Sequence, residues 1–124
     1  QKLVKSKGRI VVVNSLASRT SSKYSGVEYT MSKSALSGLV KQLALDFAKD
    51  KVLINSVMPS MTATPMLIKN NEQSELEKMA DLIPLKRIAS PLEISKAIAF
   101  LLLEENTYIT GCAIDINGGQ FLSG

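Results

Sequence analysis

The chain has 124 residues, 45% hydrophobic and 21% charged, which allows one globular domain with a real core and argues against a disordered segment. A net charge of +4, only three tyrosines and three phenylalanines, and no basic stripe beyond Lys2, Lys5 and Lys7 argue against a nucleic-acid partner. The absence of histidine and the single cysteine, Cys112, exclude an internal disulfide and any Ser-His-Asp or Cys-His mechanism within this chain and argue against a zinc site, so no metal ligands are assigned.

In chain order, residues 1–7 read as the tail of a helix, with Gly8 as its stop. Arg9-Ile-Val-Val-Val-Asn-Ser15 is a β-branched run that does not alternate with polar residues, which predicts a strand covered on both faces. Residues 16–27 are rich in Ser, Thr, Lys and Gly and read as a loop. A long amphipathic helix follows to about residue 49, with apolar positions at Met31, Ala35, Leu36, Leu39, Val40, Leu43, Ala44 and Phe47. Residues 51–57 form a second apolar strand that Met58-Pro59-Ser60 should stop.

Residues 60–90 are the least regular part, a mobile flap with weak helical pattern near 73–83. Met58, Met61 and Met66 either line a pocket there or pack the loop. Ser90-Pro91-Leu-Glu93 is a strong helix start, because Ser caps, Pro opens the first turn and Glu reaches back. That helix should run to about Glu104 with Ile94, Ala97, Ile98, Leu101 and Leu102 inward. Residues 112–116 are a third short strand, and Asn117-Gly-Gly119 a turn. The longest apolar run, residues 97–103, is too short for a membrane span, so no membrane partner is expected. With one cysteine, the chain suits a reducing, cytoplasmic setting.

Strands alternating with helices predict a parallel α/β fold of three strands with flanking helices. Three strands are few for a doubly wound sheet, and no glycine-rich phosphate loop occurs, so the chain reads as half of a larger domain. In such sheets the ligand crevice lies at the carboxyl ends of the strands. Ser15 ends the first strand, and Tyr29 and Lys33, four apart on one helix face, start the long helix at the same rim. An ammonium beside a phenol favours its phenolate, and a serine hydroxyl can hold a substrate oxygen. The trio therefore suits proton transfer to or from an alcohol or ketone oxygen, and lacks a hydride donor.

Tyr29-Thr30-Met31-Ser32-Lys33 resembles the Tyr-x-x-Ser-Lys motif of the short-chain dehydrogenase/reductase family. Four more motifs follow the family order. Val13-Asn14-Ser15 resembles the strand that ends in the catalytic serine, although Ser15 lies 14 residues before Tyr29 where 13 is commoner. The commoner spacing would give Leu16, and Ser18 is a poorer candidate. Asn55-Ser-Val-Met-Pro-Ser60 with Thr64 resembles Asn-x-Val-x-Pro-Gly-x-x-x-Thr, and Arg87-Ile-Ala-Ser-Pro91-Leu-Glu93 resembles Arg-x-Gly-x-Pro-x-Glu. Ile109-Thr-Gly111 and Asp115-Ile-Asn-Gly-Gly119 resemble the family's end piece.

The resemblance implies the C-terminal half of a Rossmann-type domain and an oxidoreductase that interconverts an alcohol and a ketone with NADP or NAD. Catalytic roles fall on Ser15, Tyr29 and Lys33, and cofactor contacts on Tyr29, Lys33, Pro59, Ser60, Thr62 and Thr64. A small alcohol or carbonyl compound is the implied substrate, residues 65–85 the flap over it, and a homo-oligomer (dimer or tetramer) the implied assembly. Small residues Ser34, Ala35 and Gly38 suit a helix-to-helix contact. Two departures stand out: Ser60 replaces the usual glycine and Asn117 the usual aspartate. The family's cofactor-binding first half lies outside these 124 residues, so the chain alone should lack a complete cofactor site. Two alternatives are a non-catalytic binding or assembly module, and a sugar epimerase or dehydratase using the same Tyr and Lys.

Overall fold

The computed structural model describes residues 1–21 and 23–123. The elements are α1 (Lys2–Lys5), β1 (Arg9–Val13), α2 (Val27–Phe47), β2 (Leu53–Pro59), α3 (Pro65–Lys69), α4 (Gln73–Asp81), α5 (Pro91–Leu102) and β3 (Ala113–Ile116). Short 3-10 turns at Leu16–Ser18 and Ala48–Asp50 follow β1 and α2. Among the described residues one sheet forms, parallel throughout, in the order β1-β2-β3, with Val13 opposite Val57 and Met58 opposite Asp115.

The two-sided burial read from the β-branched run is borne out. Ile10 and Val12 pack with Val40, Ala44, Val52 and Ile54 against α2, whereas Val11 joins Val57, Ile94, Leu101 and Ile114 against α5. Alternate side chains of β1 thus enter different cores, so both sets are apolar. Every strand end points the same way, and the loops after β1 and β2 share one rim.

Several boundaries differ from the sequence reading. Residue 22 of the expected loop lies outside the described residues, and the rest of that loop opens with the Leu16–Ser18 turn. Strand β2 continues through Pro59. Ser56 and Ser60 donate their N–H groups to the carbonyl oxygens of Cys112, just before β3, and Ile116, so the Pro59 nitrogen faces the β1 side, where β1 has already ended and no N–H is needed. At the end of α1 the left-handed residue is Lys7 (φ +50°), not Gly8. A Cβ at Gly8 would stand 2.6 Å from Leu3 Cδ2, the mobile end of an exposed side chain that can move aside.

Helix α5 starts at Ser90 as read, with its reciprocal cap from Glu93, but ends at Leu102, which is 45% exposed and not inward. The core side of α5 is carried by Ile94 and Leu101. Helix α4 has a capping box of Glu72 and Glu75 that the weak pattern near 73–83 did not reveal. On α2, Val40 and Ala44 are buried while Met31 and Leu39 are exposed, so the apolar stripe is wider than the face the sheet covers.

Candidate active site

Helix α2 opens at Gly26, which puts Tyr29 and Lys33 in its first two turns beside the end of β1. The Lys33 Nζ donates to the carbonyl oxygen of Val13 at 3.1 Å and lies 5.5 Å from the centroid of the Tyr29 ring. The phenol itself is exposed at the rim. A lysine ammonium has three N–H donors, and the bond to Val13 uses one.

Ser15 sits two residues beyond Val13 in extended conformation and caps the turn Leu16–Ser18. Its Oγ accepts from the Ala17 N–H at 3.2 Å, which leaves the hydroxyl proton to be donated elsewhere. The neighbouring candidates fare differently. Leu16 is buried, and the Ser18 hydroxyl donates to the Ser15 carbonyl oxygen at 2.8 Å, supporting the turn. The structure brings Lys33 onto the strand end that leads to Ser15.

The loop after β2 carries the other candidates. Ser60 takes no left-handed backbone, so serine fits where the family pattern has glycine, and its hydroxyl is bonded to Gln120 Oε1. Thr62 pairs with Ala89 in a short parallel bridge, and its Oγ1 donates to the Ser60 carbonyl oxygen at 3.1 Å. Thr64 caps α3, its Oγ1 accepting from the Leu67 N–H at 3.3 Å. That bond uses a lone pair and leaves the Thr64 proton free to be donated. Pro59, Ser60, Thr62 and Thr64 therefore lie along one strand end and one short loop.

The remaining motif residues are structural. Buried Asn55 donates to the Ile109 carbonyl oxygen at 2.8 Å and accepts from the Cys112 N–H at 3.1 Å, which ties β2 to the loop before β3. Gly111 (φ +72°) donates to Ile54 O at 2.8 Å. Asn117 donates to Phe121 O and accepts from the Gly119 N–H, both at 2.9 Å. An ionised aspartate could not make the first bond, so the amide suits this turn. Arg87 and Glu93 form a two-pronged ion pair at 2.8 and 2.6 Å. That guanidinium, helped by the Ser90 N–H, holds the Glu93 carboxyl at about 2. Burial pushes the Cys112 thiol up, which suits a packed residue more than a reactive one.

The sequence reading missed Arg19. It directly follows the turn that Ser15 caps, and its Nε stands 2.8 Å from Asp115 Oδ1 on β3. The contact is off the N–H axis, so charge attraction rather than an aligned hydrogen bond holds it. The Ser123 hydroxyl donates to the other oxygen of Asp115 at 2.9 Å. Nothing in a local pattern connects Arg19 with a residue so far along the chain.

A cavity of about 300 Å³ lies between the β3 end and residues 83–89, lined in part by Met61, Ile83, Leu85 and Ile116. A second, of about 250 Å³, lies beside α2 and is lined in part by Ser37, Val40 and Met58. Neither is lined by Ser15, Tyr29 or Lys33. Met58 is packed in the core, Met61 lines the first cavity, and Met66 is exposed on α3.

Three comparisons bear on this rim. A family profile described as enoyl-(acyl carrier protein) reductase matches residues 1–120. The oxidoreductase UcpA of Salmonella typhimurium is 35% identical over 122 residues, covering 93% of this chain and 46% of that protein. The 3-oxoacyl-(acyl-carrier-protein) reductase FabG of Buchnera aphidicola is 37% identical over 116 residues, covering 94% and 47%. Among solved structures, ElxO with NADP bound matches with a TM-score of 0.88 and 31% identity, over 96% of this chain and 49% of that one. The chain spans about half the length of the proteins it matches. Its parallel sheet, ordered motifs and near-complete profile match lead to one conclusion: the chain belongs to the short-chain dehydrogenase/reductase family, and its strands and helices are part of a Rossmann-type domain.

Proposed function

We propose that the protein is an NADP- or NAD-dependent oxidoreductase that interconverts a ketone and a secondary alcohol, with Tyr29 as its acid and base. The observation that carries this reading is the Lys33 ammonium, 5.5 Å from the Tyr29 ring and bonded to the strand end that leads to Ser15. When bound, the nicotinamide supplies or takes up the hydride. In reduction Tyr29 would give its phenolic proton to the carbonyl oxygen, and in oxidation it would take the alcohol proton back. The Ser15 hydroxyl, with its proton free, donates to the substrate oxygen. Lys33 keeps two N–H donors for the ribose hydroxyls, with its nitrogen 5.5 Å from the centre of the Tyr29 ring. Pro59, Ser60, Thr62 and Thr64 would hold the nicotinamide side of the cofactor, for which the Thr64 hydroxyl proton is left free by the cap of α3.

The direct test is turnover by the full-length protein with NADPH or NADH and a panel of ketones. Acetoacetyl-CoA comes first, because the Buchnera relative is named a 3-oxoacyl reductase. Tyr29→Phe should lower kcat about 10²- to 10⁴-fold. Turnover retained by that variant would sink the mechanism.

The glycine-rich loop and the selector between NADP and NAD belong to the part of the domain outside these residues. The 124-residue chain alone should therefore leave NADPH fluorescence unchanged on titration, and a saturable signal would reject this division of labour. Association into a dimer or tetramer is expected through α2. Its Ser34, Ala35 and Gly38 are exposed, and a Cβ at Gly38 would meet nothing within 4 Å. A full-length protein that stays monomeric by light scattering at every concentration would contradict this. Among the described residues no helix is long and apolar enough to cross a membrane.

A further inference from the structure

Two adjacent residues at the end of β1 meet two residues of α2 that are one turn apart. Val13 O accepts from Lys33 Nζ at 3.1 Å, and the next residue, Asn14, donates from Nδ2 to Ser37 Oγ at 2.9 Å. Ser37 Oγ in turn reaches the Lys33 carbonyl oxygen at 3.5 Å, which closes a ring through Val13, Asn14, Ser37 and Lys33. The Asn14 backbone is pinned from the other side, its N–H donating to Val57 O at 3.0 Å. Asn14 is only 3% exposed, and its Oδ1 is buried with no hydrogen-bond partner among the described residues. Turning the amide over would pair Oδ1 with the Ser37 hydroxyl and strand Nδ2 instead.

Either way, half of this buried amide goes unpaired among the described residues, which disfavours it there relative to a leucine of similar size. Packing therefore gives no reason for asparagine at position 14, whereas the link to Ser37 does. We infer that Asn14 is a positioning residue: with Ser37 it clasps the first turns of α2 to the end of β1, and so sets where Lys33 and Tyr29 stand relative to Ser15. The inference deepens the functional reading above and rests on it.

The test uses the full-length protein with NADPH and acetoacetyl-CoA, comparing Asn14→Leu, Ser37→Ala, the double variant and Ser37→Thr. If the clasp positions the trio, each single variant lowers kcat about tenfold or more while KM stays nearly constant. The double variant then loses no more than either single one, because both break the same link. Asn14→Leu keeps or raises Tm, since it removes the stranded acceptor. Ser37→Thr retains kcat, as its hydroxyl can renew the bond and the adjoining cavity of about 250 Å³ has room for a methyl group.

The reverse pattern, a lower Tm with unchanged kcat, overturns the inference and leaves Asn14 a purely structural residue. Independent, multiplicative losses in the double variant overturn it as well. Tyr29→Phe is run in parallel to separate the two levels. If that variant stays active, or the unaltered protein turns over no ketone, the functional reading fails and this inference falls with it. If Tyr29→Phe is inactive and the clasp variants are not, only this inference fails.

Discussion

Lys33 donates to the carbonyl oxygen of Val13 at 3.1 Å, which bonds helix α2 to the strand whose extension is Ser15. Lysine is the side chain that can do this and still present charge to Tyr29, because its long stem carries three donors on one nitrogen.

Lys33→Met keeps the stem and removes the donors and the charge. We expect kcat to fall about 10²-fold or more, the loss typical of disabling an acid–base partner. Stability should change by about 1 kcal/mol at most, the worth of one hydrogen bond. Steady-state kinetics and a urea titration on the full-length protein check both halves. A large loss of stability with kcat intact would make Lys33 a structural residue.

Arg19 and Asp115 should be coupled although they lie at opposite ends of the chain. Their side chains are 26% and 15% exposed, so solvent screens the pair less than a surface contact. Arg19→Ala should cost about 1–3 kcal/mol, because the Asp115 carboxylate keeps only its Ser123 partner. Arg19→Lys should recover part of that, with the charge present and the bond to Ala113 O lost. Equal denaturation midpoints for the alanine variant and the unaltered protein would contradict the coupling.

The Arg87–Glu93 link has a defined pH window. The Glu93 carboxyl is depressed from 4.5 to about 2, so its contribution is fully present above its ordinary range and is lost as pH falls from about 4.5 toward 2. The Tm advantage of the unaltered protein over Glu93→Gln should shrink across that interval and be constant above it. A gap that persists at pH 2 would assign the stabilisation to another group.

Two glycines should respond in opposite directions to the same substitution. Gly118 has φ +59°, and a Cβ there would stand 2.6 Å from Cγ2 of the buried Ile83, so Gly118→Ala should destabilise by about 1–3 kcal/mol. Gly38 lies inside α2 with nothing near its Cβ position, so Gly38→Ala should stabilise the unassociated chain by about 1 kcal/mol. Chemical denaturation of both variants gives the comparison, and equal signs would refute it.

The sequence conveyed much of this fold because its strongest signals are local. The Arg9 to Ser15 run announced two-sided burial, and Ser90, Pro91 and Glu93 announced a helix start that the structure reproduces. The errors came where the outcome depends on a distant neighbour. Pro59 is tolerated inside β2, as its last residue, because β1 has already stopped beside it, and Leu102 is exposed at the end of α5. Of the candidate site, Tyr29 and Lys33 were legible from helical spacing, and Ser15 from its place at a strand end. Arg19, Asn14 and Ser37 were not, since their partners lie across the sheet or on another element.

The one-residue excess between Ser15 and Tyr29 also finds its meaning in the structure. Ser15 is fixed by β1 and its capped turn, and the start of α2 is fixed by the bond from Lys33 to Val13. What joins the two anchors includes exposed Thr20, Ser21, Lys23 and Tyr24. Lengthening a loop between fixed ends costs little, on the order of 0.6 kcal/mol even for a doubling. The separation of these residues along the chain can therefore drift while their separation in space does not. Relatives with shorter or longer intervals can hold the same rim, provided the two anchors are kept.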